Sequence, residues 1–269
     1  MKPTRMVAPM VLAIALAIGC GGSKSQGAST NESAKHTDAP IQLAEAPAGA
    51  QPAAAAHGSA SITGTVRLSG SAPAAQSVAM SADPVCQQQH SSAVMSEEVV
   101  ANPQGGLKNV FVYIKGGVKG PFPAPTTPVT LAQSGCWYLP HVFGIQAGQP
   151  LEIVNSDATL HNVNAKPTKN QPFNVAQPVK GMKTTKKFAN PEIMISFKCN
   201  VHPWMHAYAG VVDHPFFAVS GDDGSFTIKN LPGGTYTVEA WQEKYGTQTQ
   251  TVTAKDGEST SVAFTFQAQ

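Results

Sequence analysis

The chain has 269 residues, 42% of them hydrophobic and 13% charged, with 24 glycines and 21 prolines. This gives room for one or two domains with proper cores, and the Gly/Pro content with sparse charge favours short strands and turns over long helices. The formal net charge is +2; removing an N-terminal leader would take Lys2 and Arg5 from the 18 basic residues and leave 16 against 16 acids, which argues against nucleic acid as a partner.

The first segment, MKPTRMVAPMVLAIALAIGCGG, has a basic start at Lys2 and Arg5 and 13 apolar residues from Met6 to Ile18, too few to span a bilayer as a helix. It ends in Ala17-Ile18-Gly19 ahead of Cys20. This resembles a bacterial lipoprotein signal, which implies loss of residues 1–19, acylation of Cys20 and a lipid anchor in the bacterial envelope, facing the periplasm or at the outer membrane. Ala17 stands where leucine is usual, and an ordinary secretory signal with an incidental cysteine is the alternative. Both make the mature protein an exported one. Residues 20–58 are Ala, Gly, Ser and Pro with scattered charge, including His36 and His57; such a segment reads as a disordered tether.

From Ala60 the pattern is strand and turn. SITGTVRLSG alternates apolar and polar residues, and LKNVFVYIKGG is read the same way. PFPAPTTP (121–128) is a proline-dense break. VTLAQSGCWYLPHVFGIQAGQPLEIVNSDATLHNVNA then gives several short strands with turns at Ala147-Gly148 and around Asn155–Asp157. Residues 166–187 read as a loop carrying Lys166, Lys169, Lys180, Lys183, Lys186 and Lys187 and no acid. Such a run is ordinarily a solvated face; the other reading is a field that steers an acidic partner. EIMISFKC is a buried strand running into CNVHPWM, and past His214 further strands are joined by turns at Asp223-Gly224 and Pro232-Gly233-Gly234. STSVAFTF closes the chain in clean alternation, so the expected class is all-β.

Two resemblances follow. DGSFTIKNLPGGTYTVEAW looks like the core of a carboxypeptidase regulatory-like (transthyretin-like) β-sandwich, a family that also begins with strands like SITGTVRLSG and LKNVFVYIKGG. Residues 128–213 look like a cupredoxin, a Greek-key β-sandwich of the amicyanin/plastocyanin kind, with Val-Asn-x-Asp and His-Asn in its middle and FKCNVHPWMHAYAGVVDH as its closing loop and strand. The simplest expectation is a cupredoxin at 128–213 inserted into a sandwich built from 60–120 and 214–269. The alternative is a tandem order, with 60–120 supplying the cupredoxin's own first strands.

The cupredoxin resemblance implies a type 1 copper site, which needs two imidazoles and a thiolate near a plane with a weak axial thioether. CNVHPWM offers Cys199, His202 and Met205, and its C-x2-H-x2-M spacing resembles the short ligand loop of the amicyanin type. The remaining ligand implied is His161, with Asn162 tying the two ligand-bearing loops together and Pro203 stiffening the second. Phe197, Val201 and Trp204 would keep the site apolar, Trp204 alternatively flanking an exposed edge of His202. Taken singly, Cys199 reads equally as a core thiol, Met205 as packing and His161 as a turn cap; zinc also suits a Cys/His2 set, but the methionine favours copper. With Cys20 given to lipid and Cys199 to metal, Cys86 and Cys136 are left for one disulfide in an exported protein, or for a second metal site with His90 and His141. His206 and His214 read as surface or hydrogen-bonded side chains.

The first functional expectation is an envelope electron carrier holding one copper ion, with His202 as the port, Trp204 and the six lysines as candidate docking residues, and a cytochrome or other oxidoreductase as redox partner. Copper capture or delivery is a second, and an anchored structural module with incidental copper a third. No His-x-His pair, C-x3-C or nucleophile–base motif suggests an enzyme, and no small-molecule substrate is implied.

Overall fold

The computed structural model describes residues 58–268. The leader, Cys20 and nearly all of the proposed tether lie outside the described residues. In chain order the elements are β1 (Ala60–Ser69), the short helix α1 (Pro84–Gln88), β2 (Phe111–Gly116), β3 (Val129–Gln133), β4 (Tyr138–Leu139), β5 (Val142–Gln146), β6 (Pro150–Asn155), β7 (His161–Ala165), β8 (Phe173–Gln177), β9 (Lys183–Lys187), β10 (Glu192–Lys198), β11 (His206–Val212), β12 (Phe217–Val219), β13 (Ser225–Leu231), β14 (Gly234–Gln242), β15 (Gly246–Ala254) and β16 (Ser259–Gln267). The protein is all-β, and no helix among the described residues is long and apolar enough to cross a membrane.

The strands form four sheets in the orders β13-β1-β16, β12-β2-β14-β15, β5-β11-β10-β7-β8 and β4-β3-β6-β9. The first two enclose one core. Ile62, Val66 and Leu68 of β1 and Val262, Phe264 and Phe266 of β16 meet Val112 and Ile114 of β2 and Val238 and Ala240 of β14. Alternation drives this: along β16 every second residue from Val262 to Phe266 is buried and its neighbours are exposed. The other two sheets enclose a second core around Leu131, Phe143, Ile153, Val163, Phe188, Ile195, Phe197 and Ala209. Two parallel pairs, β3 with β6 and β5 with β11, fix its topology. The first sandwich thus takes β1 and β2 from before residue 120 and β12–β16 from after residue 214, and the strands from 129 to 212 build the second.

A small third cluster (Phe111, Tyr113, Val142, Val212 and Phe217, with Tyr208 and Trp241 against it) joins the two sandwiches. It explains a departure from expectation at β2. Its first four residues are all buried rather than alternating, because Val112 and Ile114 face the first core while Phe111 and Tyr113 face the seam. A Cβ on Gly210 would overlap the Phe111 ring, and one on Gly144 the Phe217 ring, so both glycines are set by close approach of aromatic side chains.

Residues 166–187 are not a loop. They contain β8, paired with β7, and β9, paired with β6. Lysine-rich β9 is an edge strand with half-buried Thr184 and Lys186 alternating with exposed lysine and threonine, so edge-strand charge concealed its strand character. Lys183 pairs with Glu152 at 3.1 Å and the Lys186 ammonium sits 5.3 Å from the Phe173 ring centre. Between β7 and β8, buried Glu192 organises the turn: the N–H of Lys169 (2.9 Å), the Thr168 hydroxyl (2.9 Å), the Asn170 amide (3.1 Å) and the Thr168 N–H all donate to its carboxylate. Burial alone would raise this carboxyl's pKa; the donated hydrogen bonds outweigh it and hold the group below its ordinary value of 4.5. A depressed folded-state pKa contributes stability above the unfolded value, lost as pH falls through the folded one. Glu192→Gln is therefore expected to cost about 2 kcal/mol in urea unfolding at neutral pH, with the difference from the parent closing in acid below pH 4.5. A difference independent of pH would refute the charged role.

Candidate metal centre

His161 opens β7, and Cys199, His202 and Met205 lie on the turn between β10 and β11. Adjacent antiparallel pairing brings these together: β10 pairs with β7 through Lys198 and Asn164 and with β11 through Lys198 and His206. The turn closes on itself, the Cys199 N–H donating to the Met205 carbonyl (3.1 Å) and the Met205 N–H to the His202 carbonyl (2.9 Å). Pro203 occupies its tip, where its missing N–H costs no ladder bond. All four side chains are buried, His161 and Met205 completely.

The His161 and His202 Nδ1 atoms are 3.0 Å apart and Cys199 Sγ is 3.7 Å from His202 Nδ1. One donor atom from each of the three residues lies within 4.8 Å of the others. Asn162 braces the set, its Oδ1 accepting the Asn200 N–H at 2.7 Å and lying 3.4 Å from Cys199 Sγ, while its amide donates to Asn174. Two residues that sequence reasoning missed define the far side of each imidazole. His161 Nε2 meets Asp157 Oδ2 at 2.9 Å and His202 Nε2 meets Asp83 Oδ2 at 3.0 Å. Asp157 is held by the N–H groups of Gly135 and Cys136; Asp83 caps α1 and also accepts from the Thr159 hydroxyl. The available signals were Asp157 four residues before His161, and Asp83 as an N-cap ahead of Pro84.

An ionised carboxylate only accepts hydrogen bonds, so each Nε2 carries the proton and each Nδ1 of a neutral ring is a lone pair. Two lone pairs facing each other at 3.0 Å beside a sulfur call for a cation between them. A proton can fill the same role. Burial would lower the His161 pKa, but hydrogen bonds with Asp157 and Cys199 raise it to about 9. Burial pushes the Cys199 thiol up, and hydrogen bonds from His161 and from the backbone outweigh it, bringing the pKa down to about 6. Asp83 is lowered chiefly by His202; Asp157, although raised by burial, is lowered on balance by His161 and its two N–H donors. A thiolate and two oriented imidazole nitrogens are the donor chemistry of a soft-to-borderline metal.

The surroundings differ from expectation in two places. His202 has no exposed edge: it is 1% exposed, with Asp83 and Cys86 Sγ (3.5 Å) against Nε2 and Trp204 at 5.1 Å between ring centres. The connection from β1 to β2 folds over the centre, placing Met80 and Cys86 in its core. Val201 is 47% exposed and lines nothing; Phe197 is buried and Trp204 half-buried, its indole N–H donating to the Cys136 carbonyl. Cys86 and Cys136 form a disulfide, so neither thiolate is available to a second metal set, and His90 bonds instead to the Gly135 carbonyl. His214 is buried and bonded to the Ile114 carbonyl; His206 and His141 pack edge to face. Of the six lysines, all but half-buried Lys186 are exposed.

Residues 211–267 match the family model described as the carboxypeptidase regulatory-like domain. No curated protein matches the chain. Solved structures that match include a copper-containing nitrite reductase from Thermus scotoductus SA-01 (23% identity, 35% of this chain and 24% of that one, TM-score 0.30). A purple cupredoxin from Nitrosopumilus maritimus matches at 18% identity over 30% of this chain and 97% of its own, TM-score 0.27. A mutant amicyanin in its Cu(I) form matches at 16% identity over 31% and 81%, TM-score 0.28. The chain spans about a quarter of the nitrite reductase, and at TM-scores this low the likenesses add nothing to the geometry above. The chain is an all-β protein similar to the carboxypeptidase regulatory-like domain over residues 211–267 and, over about a third of its length, to solved cupredoxins.

Proposed function

We propose that this is an exported, lipid-anchored electron-transfer protein of the bacterial envelope that holds one type 1 copper ion on His161, Cys199, His202 and Met205. The observation that carries the reading is the pair of imidazoles whose Nδ1 lone pairs converge beside a buried, acidified thiol while their Nε2 protons are held by Asp157 and Asp83. Bound copper supplies one-electron exchange. The protein's part is to pre-orient donors, so that little rearrangement accompanies a change of charge, and to exclude water with Phe197, Met205 and Tyr138. Asn162 and the closed 199–205 turn hold the sulfur in place.

The anchor at Cys20 would keep this domain near the membrane on the 20–58 tether, within reach of a redox protein such as a cytochrome. Burial of His202 moves the docking surface away from a bare imidazole edge, onto Trp204 and the 83–90 segment, with the lysines of 166–187 available to attract an acidic partner. The thiol and both imidazoles are buried and converge on one another, which favours a carrier over an enzyme.

The test is optical. Cu(II) added to the protein should give an intense blue absorption, bleached by ascorbate and restored by ferricyanide, and Cys199→Ala should abolish it. Colourless binding, or copper that does not cycle, would sink the carrier reading and leave capture or delivery of copper.

A further inference from the structure

A second cluster of metal-ligating side chains lies at the seam between the two sandwiches and is not used by the first centre. His141 precedes β5, His206 opens β11, and Glu243 sits on the turn from β14 to β15. Donor atoms of the three lie within 4.8 Å of one another. His141 and Glu243 have side chains only 1% and 6% exposed, and the imidazole rings of His141 and His206 are 5.0 Å apart at 78°.

Backbone carbonyls fix the tautomers. His141 Nδ1 faces the His206 carbonyl at 3.2 Å and His206 Nδ1 faces the Trp204 carbonyl at 3.0 Å. A carbonyl only accepts, so both Nδ1 atoms carry protons and both rings in their neutral form present Nε2 as a lone pair. His141 Nε2 lies 3.0 Å from Glu243 Oε2, an acceptor facing an acceptor unless a positive charge lies between them. A proton on His141, whose pKa burial lowers but Glu243 and Glu97 raise on balance, would serve that contact. It would leave Glu243 Oε1, which is buried without any hydrogen-bond partner, and a second imidazole with an unused lone pair. A buried carboxylate oxygen without a donor is costly, and a cation relieves it. The Tyr208 hydroxyl approaches the same carboxylate as a weak donor without satisfying Oε1, and Glu97, whose Oε2 takes the Trp137 indole N–H and is 3.9 Å from His141 Nδ1, adds a second negative charge.

We propose that His141, His206 and Glu243 form a second metal site, for a divalent ion of the zinc class, that clips the two sandwiches together. Two imidazole Nε2 atoms and one carboxylate form a common three-residue zinc set, completed by water, with the carboxylate supplied from the opposite sandwich. His141 and His206 come from the strands of residues 129–212 and Glu243 from the β14–β15 hairpin, so binding favours the joined state and raises its stability by mass action.

The test uses Zn(II) on the Cys199→Ser protein, in which the thiolate of the first centre is gone, so the outcome is independent of the copper reading. Calorimetry should show zinc bound with an equivalent that disappears, or weakens by on the order of 100-fold, in both His206→Ala and Glu243→Gln. Zinc should raise the melting temperature of Cys199→Ser and not of either double variant. Glu243→Gln lies on the opposite sandwich from the 199–205 turn and guards against His206→Ala acting by disturbing that turn. Zinc stoichiometry, affinity and thermal shift unchanged by Glu243→Gln, or no zinc bound at all, would overturn the proposal and leave His141 and Glu243 as an ion pair.

Discussion

Phe111→Ala is expected to lower the free energy of unfolding by about 4 kcal/mol, among the larger effects a single truncation can have. Phe111 is wholly buried, stacks on Tyr113 at 5.3 Å, lies 5.8 Å from Phe217, and fills the space left by the absent side chain of Gly210. Truncation removes the transfer energy of the ring and leaves a cavity that flanking strands cannot close, because each is fixed in its own sheet. The seam is small, with five buried residues at its centre, so the loss should also weaken coupling between the sandwiches. Guanidinium unfolding followed by fluorescence and by circular dichroism should give coincident transitions for the parent and separated ones for the variant. A loss below about 1 kcal/mol, with transitions still coincident, would mean that the seam does not hold the halves together.

Replacing both Cys86 and Cys136 by serine should cost about 4 kcal/mol on chain-entropy grounds, since the bridge closes a loop across a sequence separation of 50. The cost has a local expression as well. Cys136 is tied by its N–H to Asp157, and α1 around Cys86 is capped by Asp83, so the bridge holds together the two carboxylates that orient His161 and His202. Hydrogen exchange at residues 83–90 and 135–137 should accelerate in the double variant well beyond the rest of the second sandwich. Uniform acceleration across the protein would show that the bridge stabilises the fold globally and has no special hold on the cover of the centre.

Three of the four proposed metal-binding residues were legible because they lie close together along the chain. Cys199, His202 and Met205 share one short turn; His161 was reached through the resemblance of its surroundings to a cupredoxin strand, since β7 buries four of its five residues and shows no alternation. β1, β13 and β16 announced themselves by period-two alternation. β9 did not, because an edge strand needs no apolar face on both sides and shows lysine where a central strand shows valine. β2 announced itself as a strand but not as one buried on both faces, since that depends on a second sandwich contributed by residues distant in sequence. The same distance hid Asp83, whereas Asp157 stands only four residues before His161 and was simply not read as its partner. A carboxylate that holds an imidazole 119 positions away, as Asp83 holds His202, leaves no spacing to read.

The sequence by itself determined that the protein is all-β, that its last strands resemble the carboxypeptidase regulatory-like domain, and that a thiol, an imidazole and a thioether share one short stretch. Period-two burial and the chemistry of donor atoms are properties of short stretches, so these conclusions needed no contacts. Only the tertiary structure decided that His202 is sealed beneath Asp83 and the Cys86–Cys136 bridge, and that His141, His206 and Glu243 meet at the seam. Both depend on where chain connections come to rest once two hydrophobic cores have closed, and that is set by packing between residues far apart along the chain.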